Sequence, residues 1–384
     1  MKVLCVFGTR PEAIKMAPVV KELRKHPNHF ETKVCVTAQH REMLDQVLEL
    51  FDIRPDYDLN VMQENQSLAQ VTANVLNRLD PVIVKEKPDW VLVQGDTTTA
   101  MAAALVAFYH RVKIGHVEAG LRTWNKFHPF PEEINRKIAD SLCDLHFAPT
   151  ETARRNLLRE GIDGASILTT GNTVIDALWE VVERPYQWRD GPLASVPHNG
   201  RLILVTAHRR ENFGQQLENI CEALKKIAAA YDDVHVVYPV HLNPNVQRAA
   251  HSLLGDVPNI TLLGPLDYLP LVQLMKRAYL VLTDSGGLQE EAPGLGKPVL
   301  VLREVTERPE AVEAGTVKVV GTEMQTIVRE TARLLDEPAE YERMARAVNP
   351  YGDGHASERI VRALNSVKDE ISCCAAAHTL EVLK

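Results

Sequence analysis

Short apolar runs recur along this chain, each followed by a stretch with helical spacing, and that alternation constrains the fold more than any other feature. In the first half the runs are Val3–Phe7, Lys33–Ala38, Trp90–Gln94, Lys113–Val117, Leu145–Ala148 and Ile167–Thr170. In the second they are Leu202–Thr206, His235–Pro239, Thr261–Leu263, Tyr279–Thr283, Val299–Leu302 and Val317–Val320. Such runs between helical patterns read as strands of parallel sheets covered by helices on both faces. The expected class is α/β, with two Rossmann-like, doubly wound halves facing one another across a cleft. At 384 residues the chain has the length of two ordinary domains. We expect the first over 1–170 and the second over 171–354, with a hinge near Gly171-Asn172-Thr173. The Pro- and Gly-bearing stretch Pro185–Gly200 reads as a surface connection. A stripe of Ile360, Val361, Leu364 and Val367 predicts a helix over 355–370 that crosses back to the first domain. Residues 371–384 form a tail with no readable pattern.

Open α/β sheets bind ligands beyond the carboxyl ends of their strands, so the segments there carry most of the chemistry. The segment Tyr279–Arg308 runs from a strand through Asp284-Ser285-Gly286-Gly287 into a helix, with Glu290 and Glu291 expected in its first turn. Free N–H groups at a helix start, with glycines that let a ligand approach the backbone, make an anion site. The two carboxylates suit ribose hydroxyls rather than phosphate. An ordinary βα turn would look similar in isolation; Thr306-Glu307-Arg308 tips the reading toward a nucleotide.

Other strand ends add to this. Gly8-Thr9-Arg10-Pro11-Glu12 has capping-box spacing, and Arg10 and Lys15 lie near a helix N-terminus, where cations gain least from the peptide dipoles. They serve a bound anion or are solvated surface charges. Gln39 and Glu42 sit in a polar loop after the second strand. Asp96 is either an N-cap or a chemical group; Glu118 closes an apolar run; Glu132 opens a helix where capping is the simpler role. Together the three resemble an acid/base set. His208, followed by Arg209 and Arg210, comes directly off a strand, and His241 ends the next.

Net charge is −8, which argues against nucleic acid or an anionic membrane surface as partner. No apolar run approaches the roughly 20 residues that span a bilayer. The chain enters a strand directly, without a signal peptide, and none of its six cysteines forms a CxxC pair. A cytoplasmic protein with reduced thiols is expected. No HExxH or other compact metal-ligand spacing occurs, so no metal is expected. GTRPEA lacks the full GxGxxG pattern, which argues against a nicotinamide cofactor.

In this order, FGTRPEAIKMAP, GDTTT, GHVEAGLRT, PEEINR, GNTVIDAL, HRREN, DSGGLQEEAP, TERPEA and NPYGDG closely resemble the non-hydrolysing UDP-N-acetylglucosamine 2-epimerases. The resemblance runs from Met1 to about residue 370. It implies the GT-B architecture and interconversion of UDP-GlcNAc and UDP-ManNAc without metal or cofactor. It also implies elimination of UDP to 2-acetamidoglucal, re-addition, and supply of ManNAc units for cell-surface polysaccharide. Arg10, His208, Ser285, Gly286 and Gly287 would hold the diphosphate, Glu291 the ribose, and Lys15 and Arg308 would lie near the ligand. Asp96, Glu118, Glu132 and His208 would be the catalytic set. Leu266 and Leu271 stand in the uracil-side segment where a relative has Gln and Phe, so backbone groups would recognise uracil. Gln39, Glu42, Glu132, Arg209 and His241 match an allosteric site for a second UDP-GlcNAc, and a homodimer is the implied assembly. A GT-B glycosyltransferase and a hydrolysing epimerase are the alternatives.

Overall fold

Every apolar run named above forms a strand. The computed structural model describes residues 1–38, 41–62 and 66–366. In the first sheet the strands are β1 (Lys2–Phe7), β2 (Glu31–Val36), β3 (Tyr57–Asp58), β4 (Trp90–Gln94), β5 (Lys113–Val117), β6 (Leu145–Ala148) and β7 (Ile167–Thr169). The second sheet holds β8 (Arg201–Thr206), β9 (Val234–Pro239), β10 (Ile260–Leu263), β11 (Leu280–Thr283), β12 (Val299–Val301) and β13 (Val317–Val319). All pairings are parallel. The orders are β3-β2-β1-β4-β5-β6-β7 and β10-β9-β8-β11-β12-β13. Both are Rossmann orders, reversing direction between β1 and β4 and between β8 and β11. Connections after those strands therefore flank the crevice where such sheets take ligands.

β3 has no counterpart in the sequence reading. A partly buried Tyr57 and an exposed Asp58 cannot produce an apolar run; the strand exists because β2 offers it an edge.

The chain divides into two compact units, Met1–Ala177 with the chain from Tyr351 onward, and Leu178–Pro350. The division falls inside the helix Thr173–Val182, beyond Gly171. Residues 356–366 are helical, with Ile360, Val361 and Leu364 buried. The Asp176 carboxylate accepts from the backbone N–H groups of Ala356 and Ser357, 3.2 and 2.7 Å away, and so caps this returning helix within the first unit. Val367 and the tail lie outside the described residues. The Pro185–Gly200 stretch is not wholly superficial, since Leu193 and Val196 are buried.

In each unit the sheet is sandwiched between helices. Leu4, Val6, Val91 and Val93 pack on Leu79, Ala103 and Ala107 in the first. Ile203, Val205, Val236 and Leu280 pack on Leu217, Ile220 and Leu224 in the second. Cys5, Cys35 and Cys221 are buried free thiols whose pKa burial pushes up to about 12. No helix among the described residues is long and apolar enough to cross a membrane.

Candidate active site

In the first unit, the β1 loop is built by a capping box. Thr9 caps the helix Arg10–Arg24, Pro11 occupies its first turn, and Glu12 folds back. One Glu12 oxygen accepts from the Gly8 and Thr9 amides at 3.0 and 2.7 Å, the other from Thr97 Oγ1 at 2.6 Å. The β1 and β4 loops are thus tied across the switch point. Burial pushes the Glu12 carboxyl up, opposed by these donors.

Thr97, not Asp96, caps the helix Thr98–Tyr109, accepting from the Ala100 amide at 3.1 Å. Asp96 is released from capping and pairs with Arg136. Arg136 also lies 3.4 Å from Glu133.

Glu118 follows β5 in the left-handed region, φ 65°. Its carboxylate is a meeting point of donors. Lys15 Nζ lies 2.5 and 2.7 Å from its two oxygens, Asn172 Nδ2 donates at 2.8 Å, and Gln94 Nε2 donates to Oε2. Lys15 comes from the first helix, Gln94 from the end of β4, and Asn172 from the segment after β7. The group is buried, and these three side chains all donate to it. Donors so placed favour the ionised carboxylate, so Glu118 stands as an anion and not as a proton donor.

Glu132 is the first residue of the helix Glu132–Leu142. The N-cap itself is Pro131, so Glu132 sits one position inside, at the end the peptide dipoles favour for an acid. The neighbouring Glu133 braces the preceding loop, accepting from the Thr123 and Trp124 amides at 3.0 Å each. Arg10 is the partly exposed first residue of its own helix. Gln39 and the side chain of Glu42 lie outside the described residues.

Beneath the β4 loop is a network the sequence reading missed. His116, fully buried on β5, contacts Asp140 Oδ1 through Nδ1 at 2.6 Å and the Gly95 carbonyl through Nε2 at 2.7 Å. Both partners only accept, so both ring nitrogens carry protons. Burial works against that charge, but the Asp140 carboxylate outweighs it and holds the imidazole above its usual range. Arg122 Nη2 reaches Asp140 Oδ2 at 2.6 Å. The imidazolium anchors the loop that presents Asp96.

The second unit presents cations around a helix N-terminus. The helix Gly286–Gly294 begins on the two glycines themselves, and its N-cap Ser285 makes no side-chain capping bond. Glu290 and Glu291 consequently lie in the second turn, not the first. Glycine's poor helix propensity hid this register. A Cβ on Gly286 would lie 3.8 Å from Arg209 Nη2 and 3.9 Å from Arg308 Nη2. Two guanidinium groups therefore border a helix start that no side chain caps, which is an anion seat. Arg308 is braced by Glu290, and Tyr268 Oη donates to Glu291 Oε2 at 2.8 Å.

His208 and Arg209 are set from below by Asp284, fully buried at the end of β11. Its Oδ2 accepts from the His208 and Arg209 amides at 2.7 and 2.8 Å and from Asn212 Nδ2 at 3.0 Å. Oδ1 lies 3.4 Å from His208 Nδ1. The His208 ring stacks on His241, centroids 5.3 Å apart. Burial, helped by His241 and Arg209, pushes the His208 imidazole below its usual range, although Asp284 pulls the other way. Arg209 and His241, expected to meet an activator beside the active site, lie in one basic cluster with His208. Leu266 is buried between β10 and the helix Tyr268–Arg277, and Leu271 lies partly buried in that helix. Among the described residues no group of three or more His, Cys, Asp or Glu could hold a metal ion.

A family model described as UDP-N-acetylglucosamine 2-epimerase matches residues 21–365. The UDP-N-acetylglucosamine 2-epimerase of Salmonella typhimurium is 58% identical over 374 residues, covering 96% of this chain and 99% of the relative. That of Escherichia coli K12 is 58% identical over 372 residues, covering 95% and 99%. Among solved structures, a UDP-GlcNAc 2-epimerase from Neisseria meningitidis bound to UDP-GlcNAc aligns with a TM-score of 0.86 at 53% identity, covering 95% of this chain and 99% of that chain. This chain shares with that structure the two-domain, GT-B-like α/β fold.

Proposed function

The chain belongs to the UDP-N-acetylglucosamine 2-epimerase family, an isomerase family, and from that premise we propose that it interconverts UDP-GlcNAc and UDP-ManNAc without hydrolysis. The observation that carries the reading is the glycine-started helix N-terminus with the Arg209 and Arg308 guanidinium groups close to it. A diphosphate fits that seat. The hydrogen on C2 of the sugar is not acidic while the glycosidic bond is intact. If the C1–O bond breaks first, UDP leaves with the electron pair and positive charge develops at C1. The C2 proton then becomes removable, and its loss gives 2-acetamidoglucal. Re-addition of UDP at C1, with protonation at C2 from the opposite face, completes the epimerisation.

In this scheme the helix start at Ser285-Gly286-Gly287, with Arg10, His208 and Arg308, stabilises the departing diphosphate. Glu291 takes the ribose, and backbone groups near Leu266 and Leu271 meet the uracil. Asp96, Glu118 and Glu132 move protons, with Lys15 setting the charge on Glu118. Glu118, held ionised by its donors, is the group we assign to take the C2 proton once positive charge at C1 has made that proton acidic. We further propose a homodimeric cytoplasmic enzyme supplying ManNAc units for cell-surface polysaccharide. Gln39, Glu42, Glu132, Arg209 and His241 would take a second UDP-GlcNAc as activator beside the active site, with Arg209 bordering both ligands.

Incubation with UDP-GlcNAc in D2O, followed by NMR, tests the reading. The expected result is UDP-ManNAc carrying deuterium at C2, with no accumulating UDP. Free ManNAc with UDP would indicate a hydrolysing enzyme; UDP released only with an added acceptor would indicate a glycosyltransferase. Product with its C2 protium intact would sink the elimination mechanism.

A further inference from the structure

We propose that Tyr268 is a positioning residue that fixes Glu291 for the ribose diol, and so makes the site discriminate ribonucleotides from 2′-deoxyribonucleotides. The inference rests on the reading of Glu291 given above. Tyr268 opens the helix Tyr268–Arg277, and its ring is buried. Its hydroxyl reaches across to Glu291 Oε2 at 2.8 Å, and the carboxylate itself is buried. The other oxygen lies beside the helix start: a Cβ on Gly287 would lie 3.3 Å from Glu291 Oε1 and 3.9 Å from Ser285 Oγ.

That juxtaposition selects a ligand. A carboxylate oxygen beside a helix N-terminus repels a bare phosphate and favours hydrogen-bond donors carried by the same molecule. Vicinal hydroxyls next to a phosphate meet both requirements; a deoxyribose meets them with one donor fewer. Discrimination of this kind is steep only when the acceptor cannot turn to find another partner. Glutamate has three side-chain torsions, so the carboxylate needs an outside restraint, and the Tyr268 hydroxyl supplies one through Oε2. The bond also links the segment assigned to uracil with the one assigned to ribose.

Calorimetric titration of the full chain with UDP and with 2′-deoxy-UDP tests this in wild type, Tyr268→Phe and Glu291→Gln. Wild type is expected to prefer UDP by about tenfold or more, the scale of one charge-assisted hydrogen bond. Glu291→Gln should bring the preference close to one. Tyr268→Phe should cut it by roughly threefold or more, through weaker UDP binding, with 2′-deoxy-UDP affinity nearly unchanged. A Phe variant that weakens both ligands equally, or that keeps the wild-type ratio, overturns the proposal. If Glu291→Gln itself keeps the preference, the ribose reading falls and takes the proposal with it. Should the Phe variant fail to fold, Tyr268→Leu is read by the same ratio.

Discussion

Asp140→Asn probes the buried network beneath Asp96. The carboxylate is almost fully buried and meets two cations, His116 Nδ1 and Arg122 Nη2, each at 2.6 Å. Arg122 keeps Glu160 as a partner, but the buried His116 imidazolium is left without its carboxylate, at a cost of about 3–5 kcal/mol. That is a large share of a typical net stability of roughly 5–15 kcal/mol. For a unit of this size it lowers the melting temperature by about 6–20 °C. The loss also depends on pH. In wild type the folded-state pKa of His116 is raised. Its contribution is therefore complete below the ordinary histidine value of about 6.5 and fades as pH rises through the folded value. Without the carboxylate, burial and Arg122 both depress the imidazole, and acid then destabilises the folded state. The stability difference between variant and wild type should thus be larger at pH 6 than at pH 9. Urea unfolding followed at both pH values is the assay, with turnover as a second readout because Gly95 loses its imidazolium partner. A difference below about 1 kcal/mol, or one equal at the two pH values, would refute the assignment of a buried imidazolium–carboxylate pair.

Two further outcomes follow from the site. Glu118→Gln turns an acceptor into a group with its own N–H donors facing Lys15, Gln94 and Asn172. Turnover by C2 deuterium exchange should fall about 10²–10⁴-fold while UDP affinity by calorimetry stays within roughly twofold; a near-normal rate would remove Glu118 from proton transfer. Gly286→Ala places a methyl group between Arg209 and Arg308 at ordinary contact distance. Thermal unfolding should be unchanged or slightly improved, given alanine's better helix propensity, while UDP affinity drops about tenfold; unchanged affinity would move the diphosphate away from this helix start.

The sequence made the sheets legible because parallel strands buried on both faces are continuous apolar runs. Asp96, Glu118 and Glu132 were visible as polar groups at strand ends and a helix start. What escaped was everything that depends on contact between distant segments. Lys15 and Glu118 are 103 positions apart, and Asn172 and Glu118 are 54 apart. No local pattern announces such pairs. Gln94 looked like the last residue of a strand, and Tyr268 like part of a uracil segment. Thr97 took the cap from Asp96 because either residue can cap, and only the backbone decides which one does. His241 joined His208 because β8 and β9 are neighbours, a pairing that spacing alone does not disclose.

Asp284 has a consequence for how the second unit meets an anion. The carboxylate holds the His208–Arg209 backbone and Asn212 from underneath. The basic loop is thereby fastened to the sheet floor before any ligand arrives. A loop of arginines and histidine that had to be immobilised on capture would give up affinity to chain ordering. Here that ordering belongs to folding, so the attraction of the cations can be felt almost in full by the incoming phosphate groups.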